Sequence, residues 1–187
     1  MLSTMSESNP LAAPGELELV RQFVNTLDIE RGTDLLDNPS AVAGWLSANE
    51  LLDTPVPQAA VGQVVQFREA LRGALLANHD RTEIGAGDLA VLNETASLAG
   101  LRIGFLPSGD WRAEPAQAGV DGALGELLAV VVRAMAAGHW TRLKACLNDE
   151  CRWAFYDHSN ARSSKWCDMR VCGNRAKQKA YRARSRR

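Results

Sequence analysis

Residues 141–187 read TRLKACLNDECRWAFYDHSNARSSKWCDMRVCGNRAKQKAYRARSRR, and this stretch decides how the carboxy-terminal part of the chain must fold. All four cysteines lie in it as two pairs, Cys146 with Cys151 and Cys167 with Cys172. Each pair encloses four residues, and fifteen residues separate the pairs. The stretch also holds every lysine of the chain, with thirteen Lys and Arg against four Asp and Glu. Residues 1–140 carry eight Arg against eighteen acids, so the formal net charge of −1 hides a strongly polarised chain. Such asymmetry points to a polyanion-binding end.

Two cysteine pairs joined by a loop of about 12–20 residues have the spacing of a four-thiolate zinc site. Zinc has no directional preference of its own, so four soft sulfurs can close a tetrahedron around it. Cys146, Cys151, Cys167 and Cys172 are therefore expected to hold one structural zinc ion. Four protein ligands leave no open position for catalysis, and both spacings are too long for a C-x-x-C redox pair. Disulfides would need an oxidising compartment, and nothing in the chain suggests export. His158 is left to solvent. Asn148 and Asp149 supply turn chemistry inside the first pair, and Gly173 is expected to take positive φ beside the last sulfur.

Around the cysteines, Arg142–Ala145 and Trp153–Tyr156 are expected to form a small hairpin, and residues 157–164 a loop. From Asn174 to Arg187 the residues are good helix formers without Pro or Gly. Knuckle, hairpin, second pair and helix is the order of a treble-clef zinc module. On that helix Arg175, Lys179, Arg182 and Arg186 fall at i, i+4, i+7 and i+11, one face. Lys177, Arg184 and Arg187 flank it, and Arg162, Lys165 and Arg170 add charge from the preceding loop. These ten side chains are the expected nucleic-acid contacts, phosphate first.

The run Cys172-Gly-Asn-Arg175, preceded by Lys165-Trp-Cys-Asp-Met-Arg-Val171, resembles the signature of the CGNR zinc-finger family. Residues 151–167, CRWAFYDHSNARSSKWC, are similar to the body of that finger. The resemblance implies that the four cysteines are zinc ligands and that the protein is a stress-induced transcription regulator. Phe23-Val-Asn-Thr26, followed by Asp28 and then Trp45-Leu46, resembles the ABATE domain that accompanies such fingers.

Upstream, residues 1–15 lack the basic start and apolar run of a signal peptide and are expected to form a disordered leader. Glu16–Leu27 has helical apolar spacing. Arg31–Pro39 is a polar connector, and Ser40 is expected to cap a helix reaching about Asn49. Gln58–Asn78 is the longest helix, burying Val61, Val64, Val65, Phe67, Leu71, Leu75 and Leu76. Asp88 is expected to cap a helix with Val91, Leu92, Ala96 and Leu98 inward. Residues 101–106 and 111–114 form a hairpin across a Pro-Ser-Gly-Asp turn. From Asp121, Leu124, Leu127, Leu128, Val131, Val132 and Met135 give a wide apolar face, hence a central helix. The short step from His139 to the finger predicts docking near that helix. The fold class is thus α+β. A mainly helical domain over 16–140 carries a small antiparallel hairpin or sheet, and a treble-clef-like finger occupies 141–187.

No apolar stretch reaches the ~18 residues of a membrane span, and reduced cysteines suit a cytoplasmic protein. No nucleophile elbow, P-loop or metal-binding helix pair points to an enzyme. Asn25 and Thr26 are candidate ligand-lining residues, with a capping or core hydrogen bond as the plainer role. The expected partner is DNA. A small-molecule effector or a second copy of the chain would engage residues 16–140. The alternative is a zinc-dependent protein- or RNA-interaction module without sequence-specific DNA binding.

Overall fold

The computed structural model describes residues 9–79 and 82–184. In chain order the elements are α1 (Leu17–Val24), β1 (Leu27–Asp28), β2 (Thr33–Asp34), α2 (Pro39–Ala48), α3 (Gln58–Ala77) and α4 (Ala86–Leu98). Then follow β3 (Arg102–Phe105), β4 (Trp111–Glu114), α5 (Gly119–Ala136), a 3-10 turn (Trp140–Arg142), β5 (Leu143–Ala145) and β6 (Ala154–Tyr156). A π-turn (Met169–Gly173) leads directly into α6 (Asn174–Arg184). The strands form three separate antiparallel pairs, β1–β2, β3–β4 and β5–β6.

Helices α3 and α5 supply the centre. Val64, Phe67, Leu71 and Leu75 of α3 are fully buried, as are Leu124 and Leu127 of α5. They follow the helical period that the sequence shows, so each helix turns one apolar stripe inward. Phe23 of α1 lies between Phe67 and Trp45, with ring centroids 5.8 and 5.1 Å away. The same apolar cluster continues into Trp140, Leu143, Ala145, Ala154 and Tyr156. The β5–β6 hairpin therefore shares the core of the helical part and cannot swing on a linker. Its strands pack chiefly against α1 and α3, and the 3-10 turn that opens the finger meets α5.

Several local expectations are corrected. Residues 11–13, assigned to the leader, are docked on the fold: Ala13 is buried and Tyr156 N donates to Leu11 O at 3.0 Å. Residues 1–8 of that leader lie outside the described residues. The cap of α2 is Asn38, whose side chain accepts from Ala41 N at 3.0 Å. Pro39 then takes the first helical position, where its missing N–H costs nothing. Gly85 precedes α4, and Asp88 sits inside the first turn. Leu98 and Met135 are exposed, whereas Thr95 is buried with its hydroxyl donating to Val91 O at 2.9 Å. The connector after Arg31 contains β2.

Two charges are buried where the α3 stripe predicts only apolar residues. Arg68 donates to Asp34 through both terminal nitrogens at 2.6 and 2.9 Å, and to Glu69 at 2.8 Å. This bidentate pair fastens the β1–β2 hairpin to α3. Burial alone would raise the Asp34 carboxyl, but the Arg68 guanidinium overrules it and holds the group below its ordinary value.

Candidate metal centre and nucleic-acid interface

The four cysteine sulfurs lie within 4.8 Å of one another. Cys151 and Cys167 are 3.6 Å apart, and Cys167 and Cys172 are 3.8 Å apart. Zinc–sulfur bonds of about 2.3 Å in a tetrahedron place sulfurs about 3.8 Å apart, so the cluster fits one zinc ion. Backbone turns set each pair. Cys151 N and Arg152 N donate to Asn148 O at 2.9 and 3.0 Å, and Cys146 N donates to Trp153 O at 2.9 Å. Arg152 leaves the first knuckle with φ 53°. Asn148 Nδ2 approaches Cys172 Sγ at 3.6 Å. Asp168 caps the second knuckle, accepting from Arg170 N at 2.6 Å.

Without a cation, sulfurs this close oppose one another's ionisation. Hydrogen bonds from Cys151 and Cys167 pull the Cys146 thiol down, and the same contacts push Cys151 up to about 12 and raise Cys167 as well. A divalent ion removes that conflict by neutralising the shared charge. Gly173 does not adopt positive φ; it lies in the π-turn. A Cβ there would meet the Met169 thioether, which would have to swing aside, and come within 3.2 Å of the Trp166 ring.

A ring of side chains from the helical part caps the backbone of the finger. Asn25 Nδ2 donates to Ala154 O at 2.9 Å, and Asn25 Oδ1 accepts from Ala154 N at 2.7 Å. One amide thus replaces a neighbouring strand at the edge of β6. Arg72, also buried, donates to Arg152 O at 2.8 Å and to Val24 O at 2.7 Å. Asn78 Nδ2 donates to Trp140 O and Leu143 O, both at 2.9 Å, and His79 Nε2 lies 2.5 Å from Ala145 O. His139 Nδ1 is 3.1 Å from the Tyr156 hydroxyl. The histidines at the helix ends therefore hold the finger. Thr26 donates to Phe23 O at 2.8 Å and receives Arg68 Nη1 at 3.3 Å. Asn25 and Thr26 thus make core hydrogen bonds, the plainer of the two roles weighed for them.

Inside the finger, Lys144 and Asp157 form a buried ion pair of 2.8 Å. Asp157 also accepts from Ser159 N, Ser159 Oγ and Ser164 N at 3.0, 2.6 and 2.9 Å. Lys144 Nζ donates further to Arg162 O at 2.7 Å. The loop 157–164 is thereby organised around one carboxylate, and Lys144 is lost to any outside anion. His158 stays exposed, its Nε2 2.8 Å from Ala12 O.

Arg162, Lys165, Arg170, Arg175, Lys177, Lys179, Arg182 and Arg184 are all exposed. Arg186 and Arg187 lie outside the described residues. Arg175, Lys179 and Arg182 share one side, as the spacing predicts, and face a cleft of about 750 Å³ against the first knuckle. The opposite wall carries Asp149 and Glu150 together with Leu147 and Trp166. Arg175 is further engaged by Glu30 of the β1–β2 turn at 2.7 Å. The helix is thus cationic but set opposite three carboxylates, which helical spacing alone does not reveal.

Among the described residues no helix is long and apolar enough to cross a membrane. Residues 142–185 match the family model of the CGNR zinc finger. Residues 17–140 match that of the ABATE family, whose description is "Putative stress-induced transcription regulator". No curated protein matches the chain.

Proposed function

The chain belongs to the ABATE family and carries a CGNR zinc finger, and on that footing we propose that it is a cytoplasmic DNA-binding transcription regulator. Residues 16–140 act as its regulatory domain, and residues 141–187 as its DNA-engaging finger. Cys146, Cys151, Cys167 and Cys172 hold one structural zinc ion. The observation that carries the reading is the seat of α6, which starts two residues after Cys172 and exposes Arg175, Lys177, Lys179, Arg182 and Arg184. The ion and the shared core set the direction of the helix, and the helix meets the phosphates. Binding, and not catalysis, is the role proposed for the whole chain.

Duplex binding by the zinc-loaded protein tests this. If five helix cations each meet a phosphate, the log–log salt slope is about −4 to −5. Lys179→Ala should lower the slope by about one unit. Glu30→Gln frees Arg175 and should strengthen binding. Selection from random duplexes should return a consensus. A slope near zero rejects phosphate contact, and unbiased recovery rejects sequence reading.

The mixed-charge cleft between α6 and the first knuckle favours the second reading, a protein- or RNA-interaction module. In that case RNA or an unrelated polyanion displaces duplex DNA freely, and alanine at Trp166 or Glu150 weakens partner capture without altering the salt slope.

A further inference from the structure

The β3–β4 hairpin is an amphipathic ribbon. Its register pairs Ile103 with Ala113 and Phe105 with Trp111. Alternation puts these four on one face and Arg102, Gly104, Arg112 and Glu114 on the other. The base of the apolar face is anchored. Ala113 is buried, and its carbonyl accepts from Arg133 Nη1 of α5 at 3.2 Å. Ala99 and Pro115 press on α5 so closely that a Cβ at Gly125 would meet them at 2.6 and 2.8 Å. Ala116 N and Gln117 N both donate to Ala99 O, at 3.0 and 3.1 Å, and this closes the root.

Beyond that root the apolar face is bare. Phe105 is 83% exposed, Ile103 63% and Trp111 37%. Together they expose on the order of 400 Å², within the range of the largest apolar patch that a typical monomer shows. A two-stranded hairpin is marginal by itself in water, so a ribbon fastened only at its base gains from a cover. The face carries no charge, so a phosphodiester has nothing to pair with there.

We propose that this face docks a second copy of the chain, ribbon against ribbon across a two-fold axis. A two-fold contact needs a patch complementary to itself, and an apolar face meets that condition without matched charges. Two such patches bring together about 800 Å², and the strand edges around them supply the remainder of the ~1,200 Å² of a specific interface. Phe105 is the central anchor, with Ile103 and Trp111 beside it. The contact lies on residues separate from the finger and stands whether or not the chain binds DNA.

Sedimentation equilibrium of the full-length, zinc-loaded protein without nucleic acid tests the proposal. The chain mass is 20.3 kDa, and twice that mass is expected at micromolar concentration. Phe105→Asp and, separately, Ile103→Asp should each raise the dimer dissociation constant at least about 30-fold, the effect of an interface hot spot. Both side chains point into solvent, so circular dichroism and zinc content should stay as in the parent. Leu35→Asp, at a residue 61% exposed outside the hairpin, should leave the dimer intact. A parent protein that is monomeric at every concentration overturns the proposal, including one that binds lipid vesicles instead. So does a dimer that survives Phe105→Asp combined with Ile103→Asp.

Discussion

Asn25→Ala removes the one side chain that pairs with both backbone groups of Ala154. The two hydrogen bonds, 2.9 and 2.7 Å long, span 129 residues of sequence and join α1 to the outer edge of β6. A buried backbone group left without a partner costs about 1–3 kcal/mol. Ala154 is fully buried, while Asn25 is half-exposed, so water recovers part of the loss. The expected cost is about 2–3 kcal/mol. For a chain of this size that lowers Tm by about 4–12 °C. Because β6 lies between the first and second cysteine pairs, its fraying should also speed transfer of zinc to a colorimetric chelator. Differential scanning calorimetry and chelator kinetics on the same preparation read both effects. Asn25→Asp keeps an acceptor for Ala154 N but sets a carboxylate against Ala154 O, and should cost at least as much. A Tm within about 2 °C of the parent, with unchanged zinc transfer, would refute the claim that this amide holds the finger in place.

Lys144→Met and Asp157→Asn should each cost about 3–5 kcal/mol, since each leaves a buried charge alone, and Lys144→Met combined with Asp157→Asn should cost less than their sum in urea titrations. Burial drives the Asp157 carboxyl up, but hydrogen bonds from Lys144, Ser159 and Ser164 overrule it and hold the group well below the usual carboxylate range. Its contribution to stability is therefore complete above about pH 4 and is lost as pH falls below that, so the urea midpoint should fall more steeply in the parent than in Asp157→Asn under acid. Metal analysis should find one zinc per chain, and a strong chelator should abolish the α6 signal in hydrogen exchange, as should Cys167→Ser. Gly125→Ala should cost about 1–3 kcal/mol by overpacking against Ala99 and Pro115, measured by thermal melting.

The zinc finger was the most legible part of the chain, for a local reason. Ligand spacing, turn residues and helix formers all act within a few residues of each other, and a metal needs its donors in that order. The α3 and α5 stripes were legible for the same reason, because a helix repeats its buried positions every three to four residues. Arg68 and Arg72 were not, since their burial depends on Asp34 and two carbonyls supplied by other elements, besides Glu69 on α3 itself. The pairing of Leu11 with Tyr156 of β6 was hidden likewise, because a short Pro- and Ala-rich segment has no pattern that reports a partner so distant in the chain. Exposure of Leu98, Met135 and Phe105 escaped for the opposite reason. Apolar character states what a residue favours, and only packing decides which apolar residues find cover.

From its order of residues alone, this chain specifies a four-sulfur centre, a cationic helix behind it and two long amphipathic helices. Those properties rest on periodicity and short-range chemistry. Only the tertiary structure decides that the finger is welded into the helical core by Asn25, Arg72, Asn78 and His79. It alone sets α6 opposite Glu30, Asp149 and Glu150, and leaves the β3–β4 ribbon bare. Each of these arises where groups distant in the chain compete for the same burial and the same hydrogen bonds, and that competition is settled in three dimensions.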